Sequence, residues 1–357
     1  MAVAGAGAFG RNHLRVLHEL EAAGQGVTLA AAVEPQAERA AEVAERYGIP
    51  VFASVEELLR ADLRLQAACV AVPTVHHHAV AAALLDAGLD LLVEKPLAAK
   101  LDEADDLVAR AEGAGRILQP GHLERFNPAV LAIEPRLKRP MFFEAHRLSI
   151  FTPRSLDVDV VLDLMIHDLD IVLTFAGSPV SEVRAVGLPI LSPKVDIANV
   201  RVEFESGCVA NFTASRVSTE KVRKLRFFEP RQYVSIDYAR RDLLVIRMEP
   251  GAGSLPAEIA AALAAGKGAD MALLAQLAAG NAAGPAPGLS FVKPEVAPGE
   301  PLRLEIESFL DAVRTRRAPH VTARQGRAAL ALALEIQSAM ETHAQRAGLG
   351  DFFYPQS

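Results

Sequence analysis

The nine residues AVAGAGAFG, at positions 2–10, decide the fold of this 357-residue chain. A short apolar strand, Ala2–Ala4, leads into a Gly-x-Gly-x-x-Gly spacing, and a helical segment follows. Glycines at this spacing allow a tight turn and the close approach of a pyrophosphate, whose charge a helix N-terminus stabilises. The spacing alone is weakly specific, but its place between strand and helix predicts a dinucleotide site. The predicted cofactor-binding residues of this loop are Gly5, Gly7, Ala8, Phe9 and Gly10.

A single carboxylate at the end of the second predicted strand bears on the choice of cofactor. Glu34 lies 24 residues after Gly10. A carboxylate at this position can accept both ribose hydroxyls and would repel a 2′-phosphate. The alternative is a surface glutamate that begins a helix. The pattern favours NAD over NADP.

Apolar strands alternate with helices as far as residue 120, and then the pattern changes. The alternation is typical of a doubly wound α/β fold with a parallel sheet, so residues 1–120 are predicted to form a Rossmann domain. Residues 121–357 contain seven strand-like segments and predict an α+β domain with a largely antiparallel, open-faced sheet. An Ala/Gly/Pro-rich insertion at 250–290 is expected to be flexible. Two final helices, Leu302–Arg314 and Ala323–His343, are expected to pack back near the first domain.

Composition excludes several classes of partner. The net charge of −7 argues against nucleic acid or an anionic membrane, and no apolar run is long enough to span a bilayer. Cys69 and Cys208 match no metal or redox spacing, so we expect two reduced thiols in a cytoplasmic protein. The N-terminus lacks the basic region of a secretion signal. The brevity of the first strand leaves the natural start of the domain open.

The segment VVLDLMIHDLDIVL (160–173) reads as a buried helix that carries ionisable residues. At about 100° per residue, Asp163, His167 and Asp170 are predicted to project from one face. Burying such groups is costly unless they are paired or used. Three interpretations remain open: a core histidine satisfied by an aspartate, a metal site suggested by the i, i+4 spacing, and an acid/base histidine oriented by a carboxylate.

Two further segments follow predicted strands at the edge where α/β sheets bind ligands. Glu94-Lys95-Pro96 places a lysine that can hydrogen-bond a substrate hydroxyl near the cofactor. Pro73-Thr74 precedes His76-His77-His78, whose side chains point in different directions and cannot share one metal ion. We therefore expect no metal. His77 is predicted to face the cofactor edge, together with Pro73, Thr74 and Glu94, while the other two histidines face solvent.

Taken together, these motifs resemble the Gfo/Idh/MocA oxidoreductases over nearly the whole chain. The segments that carry the resemblance are GAGAFG, Glu34, VPTVHHH, VEKPLA (93–98), DLMIHDLD (163–170) and GRAALALALEIQSAM near the end. The resemblance implies that Lys95 and His167 lie beside the nicotinamide and the reacting carbinol. His167 would carry the proton, and Asp163 or Lys95 would position the alcohol. Which of Lys95 and His167 is the final base stays open.

A narrower resemblance concerns two longer segments. GHLERFNPAV (121–130) and RLSIFTPRSLDVDVVLDLMIHDLDIVL (147–173) are similar to the branch that oxidises UDP-N-acetylglucosamine at C3, which is associated with lipid A precursors. This implies that Arg125, Asn127 and Arg154 contact a sugar nucleotide. Three alternatives remain: a free sugar or inositol dehydrogenase, an NAD-dependent glycosidase and a non-catalytic dinucleotide sensor.

The second-domain sheet also predicts self-association. One of its faces has no obvious helix to cover it, and Val200–Phe204 and Val209–Phe212 supply apolar side chains. Exposed faces of that kind usually meet a partner. We therefore expect a homo-oligomer, a dimer or a tetramer.

Overall fold

The first domain is built on a parallel sheet, as predicted. The computed structural model describes residues 1–152, 158–248 and 289–349. The strands are β1 (Ala2–Ala4), β2 (Ala31–Val33), β3 (Val51–Phe52), β4 (Ala67–Val70), β5 (Asp90–Glu94) and β6 (Leu118–Gly121). All neighbours pair in parallel, in the order β3-β2-β1-β4-β5-β6. The helices are α1 (Gly10–Ala22), α2 (Ala37–Tyr47), α3 (Val55–Arg60), α4 (His77–Asp86) and α5 (Leu101–Gly113).

The apolar strands explain this arrangement. Strands β1, β2, β4 and β5 are buried at every residue, which requires helices on both faces of the sheet. The strand order reverses between β1 and β4. Ligands of open α/β sheets bind at such a reversal, beyond the carboxyl ends of the strands. The glycine loop after β1 and the Glu94-Lys95 segment at the end of β5 therefore lie at the same edge.

The second domain carries an eight-stranded mixed sheet, which agrees with the predicted α+β class. Its strands are β7 (Phe142–Leu148), β8 (Val180–Leu188), β9 (Ile197–Phe204), β10 (Val209–Ser215), β11 (Val222–Glu229), β12 (Gln232–Asp237), β13 (Asp242–Met248) and β14 (Leu289–Val292). The order is β14-β13-β12-β11-β7-β10-β9-β8, with only β7 and β10 parallel. Its helices are α6 (Pro128–Ile133) and α7 (Ile166–Ala176), and a π-helical turn, Val161–Met165, precedes α7.

The last two helices connect the domains. Helix α8 (Pro301–Thr315) packs on the first sheet, where Ile306 and Phe309 join the core that α1 also fills. Helix α9 (Ala323–Arg346) contributes Leu330 to the core of the first domain and Ile336 to that of the second. The predicted docking of the C-terminal helices therefore has a counterpart in the structure.

Two expectations about the second domain need correction. The apolar residues offered as an uncovered surface, including Val200, Val202 and Phe212, lie inside the core on the same face as α7. The predicted insertion at 250–290 ends early, because Leu289 already belongs to β14, which pairs with β13. The rest of that insertion lies outside the described residues. In the parts of the chain that the structure describes, no helix combines the length and the apolar character needed to cross a bilayer.

Candidate active site

The glycine loop leaves the space that a dinucleotide needs. Gly5 has a φ of +92°, and a Cβ there would lie 2.6 Å from the carbonyl oxygen of Ala71. A Cβ on Gly10 would collide with the carbonyl oxygen of Gly5, whereas one on Gly7 would meet nothing within 4 Å. The loop thus packs tightly against β4 and opens outwards at Gly7. A cavity of about 800 Å³ runs beside it, lined by Ala8, Glu34 and other residues of both adjoining strands. These features fit a bound dinucleotide.

Glu34 is buried at the floor of this cavity and is already engaged. Its Oε2 accepts hydrogen bonds from the backbone amide of Ala6 at 3.0 Å and from Arg39 Nη1 at 3.2 Å. Its Oε1 accepts from the amide of Gln36 at 3.0 Å. A carboxylate offers about four acceptor positions, so three are occupied and one remains. Glu34 can therefore hold one ribose hydroxyl as it stands, and a second only if Arg39 gives way.

A second cavity, of about 520 Å³, joins the first along Ala71–Pro73 and lies between the two domains. From the first domain it is lined by Phe9, Pro73, Thr74, His77, Glu94 and Lys95. From the second domain it is lined by Glu124, Arg147, Asp163, His167 and Arg223, among others. The predicted catalytic residues Lys95, Asp163 and His167 therefore meet in one place.

The π-helical turn explains how Lys95 is held. The backbone amide of Ile166 donates to the carbonyl of Val161, five residues back, rather than to Leu162 as in an α-helix. Lys95 Nζ donates instead to the carbonyls of Leu162, at 3.3 Å, and of Asp163, at 2.7 Å. The lysine thus crosses from the first domain to the second. Burial lowers the pKa of its ammonium group below the usual value.

His167 begins the helix that follows this turn and faces the same cavity. Its Nδ1 is buried and has no hydrogen-bond partner within the described residues. Burial lowers the pKa of His167 well below its ordinary value, and the positive charges of Lys95 and Arg147 act in the same direction. The imidazole is therefore neutral at physiological pH and able to accept a proton.

The two remaining aspartates of the segment 160–173, Asp168 and Asp170, do not line the second cavity. Asp168 is buried, and its two carboxylate oxygens accept hydrogen bonds from Arg147 Nε at 2.7 Å and from Arg147 Nη2 at 3.0 Å. Asp170 was predicted to project with Asp163 and His167, but it does not line this cavity. It lies buried 3.9 Å from the ring nitrogen of His122.

Two predicted substrate contacts are structural instead. Arg125 is buried, donates to Thr174 Oγ1 at 2.7 Å and pairs with Glu134 at 3.2 Å. Asn127 caps α6 through the amide of Ala129 and donates to the carbonyl of Tyr238. Neither residue lines the cavity. The sequence could not distinguish these residues from ligand contacts, because a polar residue buried in the core and one that faces a ligand give the same sequence pattern. Arg154 lies outside the described residues.

Glu94 lies beside Lys95 and is fixed from the opposite side of the sheet edge. His13 of α1 lies 2.7 Å from Glu94 Oε1 through its Nε2. A Cβ on Gly121 would lie 3.1 Å from that same oxygen, so glycine lets the Glu94 carboxylate pack closely here. The helix that starts at the glycine loop is therefore linked directly to the segment carrying Lys95.

The side chains of the three adjacent histidines point to different surroundings. His76 lines the cofactor cavity, and His78 pairs with Asp106 at 2.8 Å. His77 lines the second cavity, yet it is buried, and its ring nitrogens lie 2.8 Å from the carbonyl of Pro96 and 2.9 Å from that of Val72. It therefore braces the lysine segment. Among the described residues, no group of three potential ligands could hold a metal ion.

Two arginines that were not predicted as site residues, Arg147 and Arg223, also line the second cavity. Arg147 projects with the inward-facing residues of β7, whose neighbours Phe143 and Ala145 are buried. Arg223 occupies the equivalent place on β11, in line with Leu225 and Phe227. A charged residue at an inward position of an alternating strand is the signal that could have identified both.

Comparison with known proteins assigns the chain to a family. Residues 1–122 match the model of the Gfo/Idh/MocA oxidoreductase family, NAD-binding Rossmann fold, and residues 130–231 match its C-terminal domain. The chain belongs to the Gfo/Idh/MocA family. The predicted family, fold class and dehydrogenase nature are therefore confirmed.

Relatives within the Gfo/Idh/MocA family differ in substrate. UDP-N-acetylglucosamine 3-dehydrogenase of Acidithiobacillus ferrooxidans is 34% identical over 95% of this chain and 98% of its own length. A solved structure of that enzyme has a TM-score of 0.80, covering 96% of this chain and 97% of the other. A scyllo-inositol 2-dehydrogenase of Bacillus subtilis is 26% identical over 61% of this chain and 67% of its own length.

Proposed function

We propose that this protein oxidises UDP-N-acetylglucosamine at C3 to the 3-keto sugar nucleotide, with NAD as the hydride acceptor. The observation that carries the proposal is its similarity along both chains to an enzyme named for that reaction. The meeting of Lys95, Asp163 and His167 in one cavity supports the dehydrogenase chemistry. The 3-keto product would suit a separate aminotransferase, in line with the predicted role in lipid A precursor synthesis in the cytoplasm.

The cavity residues divide the work of removing a hydroxyl proton. NAD, when bound along the glycine loop, supplies the acceptor for the hydride. Lys95, fixed by two backbone carbonyls, remains a donor and orients the substrate hydroxyl. His167, held neutral, accepts the hydroxyl proton. Asp163 lies in the same turn and orients the sugar from its side of the cavity.

Cofactor choice rests on Glu34 and its surroundings. A buried carboxylate at the ribose favours a free hydroxyl over a phosphate dianion. Because Arg39 also lines this cavity, its pairing with Glu34 keeps a positive charge from serving a 2′-phosphate. We infer NAD rather than NADP.

The experiment measures the formation of NADH from NAD and UDP-N-acetylglucosamine in the presence of a carbonyl-trapping agent. Oxidation to a ketone is uphill, so trapping lets NADH accumulate. Free N-acetylglucosamine should react far more slowly, since the nucleotide contributes binding energy that orients the sugar. Faster reaction with the free sugar would contradict the sugar-nucleotide assignment and leave the dehydrogenase assignment intact.

Inositol oxidation is a second candidate, supported by similarity to an inositol dehydrogenase of Leifsonia xyli, 31% identical over 51% of this chain. Including myo-inositol in the same assay separates the two activities. An NAD-dependent glycosidase would instead release an aglycone without net NADH, and chromatography of the same reaction mixtures would detect that aglycone.

We also infer a homo-oligomer, on a different surface from the one predicted. Phe142 stacks on Phe228 at 5.4 Å between ring centroids, and Phe228 contacts Tyr233 at 5.2 Å. All three are partly exposed and alternate with core residues such as Phe143, so they lie on the face turned away from α7. Burying this patch against a second copy would remove apolar surface from water.

A further inference from the structure

Two arginines lie directly opposite each other on adjacent strands at the second cavity. Arg147 of β7 is paired in register with Arg223 of β11, on the same face as the buried pairs that follow it. Side chains directly opposite in an antiparallel pair are about 5 Å apart at Cβ, and like charges there are destabilising. Folding alone therefore does not favour arginine at both positions.

Only one of the two charges is neutralised within the described residues. Arg147 is buried, gripped by Asp168 and bonded to Glu124 at 2.9 Å. Its guanidinium also lies 5.0 Å from the ring centre of Tyr238. The carboxylates of Asp168 and Glu124 are thus committed to Arg147. In the described parts of the chain, Arg223 forms no ion pair or side-chain hydrogen bond, although it lines the cavity.

The position of Arg223 relative to the reacting groups is also informative. It is exposed, whereas Glu94, which lines the same cavity, is buried, so Arg223 marks the solvent side. It is close enough to His167 for its charge to lower the pKa of that imidazole. An anion joined to a sugar whose reacting carbon lies at Lys95 and His167 would extend towards Arg223.

We propose that Arg223 is an anchor for the diphosphate of a sugar-nucleotide substrate. This rests on the proposed function and adds a specificity-determining residue to it. A planar guanidinium can hold two phosphate oxygens at once, and the bound anion offsets the repulsion from Arg147. The dinucleotide pyrophosphate has its own place at the glycine loop, so the substrate is the source we assign.

The test compares Arg223→Gln and Arg223→Lys with Arg226→Gln in the full-length protein. Arg226 lies three residues further along β11, on the opposite face, which makes it a matched control. Titration calorimetry with UDP should show affinity weakened about 10–100-fold in Arg223→Gln, in line with loss of a charged hydrogen bond. Arg223→Lys should recover part of the UDP affinity, since lysine restores the positive charge but not the two parallel hydrogen bonds of a guanidinium. Arg226→Gln should match the unchanged protein.

Parallel titrations with NAD separate the possible sources of the diphosphate. NAD affinity should stay unchanged in all three variants. If Arg223→Gln weakened NAD rather than UDP binding, the anchor would belong to the dinucleotide and the inference would be overturned. If UDP bound all variants equally while UDP-N-acetylglucosamine was still oxidised, the inference would fail and the proposed function would stand. UDP binding that depends on Arg223, without oxidation of the sugar nucleotide, would sustain the anchor and overturn the proposed function.

Discussion

Replacing Glu34 by glutamine should convert a cofactor site that favours NAD into one that tolerates NADP. In the structure, Glu34 Oε2 accepts from Ala6 and from Arg39, and Oε1 accepts from Gln36. The amide keeps the size of the side chain but removes its charge and one acceptor oxygen. It therefore breaks the ion pair with Arg39 and leaves that guanidinium available to a 2′-phosphate.

The size of the change follows from these contacts. A hydrogen bond to a charged group contributes about 1.5–3 kcal/mol, so NAD should bind about 10–150-fold more weakly. A carboxylate and a phosphate 4 Å apart repel by about 4 kcal/mol per unit charge near a protein surface, and the Arg39 charge offsets part of this. Removing the repulsion and freeing Arg39 should strengthen NADP binding at least about tenfold. The ratio of the two dissociation constants should then change by about 100-fold or more.

Fluorescence titration with NADH and NADPH measures both constants. Glu38→Gln is the matched control, because Glu38 is an exposed carboxylate four residues further on, in the first turn of α2. A thermal-unfolding scan of each variant checks that the glycine loop survives the loss of an acceptor for the Ala6 amide. An unchanged preference for NAD in folded Glu34→Gln would refute the assignment of Glu34 as the selecting residue.

Four further predictions concern the acid/base groups and the core. His167→Asn and Lys95→Ala should each lower kcat by about 10²–10⁴-fold, while the affinity for NAD is retained. Near-normal turnover in both variants would show that neither residue is catalytic. Burial holds the pKa of His167 well below the ordinary histidine value of about 6.5, so the acidic limb of kcat/KM should fall below that pH. A limb rising into alkaline pH would point to Lys95 as the base. The unfolded chain protonates His167 near pH 6.5, whereas the folded chain does not, so the folded state loses stability as pH falls below that value. The urea midpoint of His167→Asn should therefore depend less on pH than that of the unchanged protein. Asp168→Asn should cost about 3–5 kcal/mol in urea unfolding, because Arg147 keeps its charge in a buried site. Glu182→Gln, which breaks the exposed pair of Glu182 with Arg184, should change stability by under about 1 kcal/mol. Equal losses would contradict the role given to the buried pair.

Much of the first domain could be predicted because its signals are local. Continuous apolar strands, helices between them and the glycine loop each depend on neighbouring residues. The meeting of Lys95 with His167 could be predicted only through the family resemblance, because their contact joins two domains. The π turn could not be predicted. Its signature is a shift of one hydrogen bond, from Leu162 to Val161, which no residue type specifies.

The errors have a common physical origin in the second domain. Arg125 and Asn127 are polar residues in a segment resembling a substrate site, but their partners Thr174 and Tyr238 are distant in sequence. Likewise, the direction in which Val200 faces depends on which side of the sheet the final helix covers. Alternation separates the two faces of a strand but does not say which one is buried.

The packing of α8 against the first sheet has a consequence for synthesis on the ribosome. Ile306, Phe309 and other residues of α8 complete a core whose remaining buried members precede residue 120. A nascent chain that has just released β6 must wait for roughly 180 further residues, from Gly121 to Pro301, before that helix is made. At elongation rates of about 5–20 residues per second this takes about 10–40 s. Throughout that interval the apolar surface later covered by α8 stays exposed to solvent, so we expect the emerging first domain to need a chaperone that binds unfolded chains.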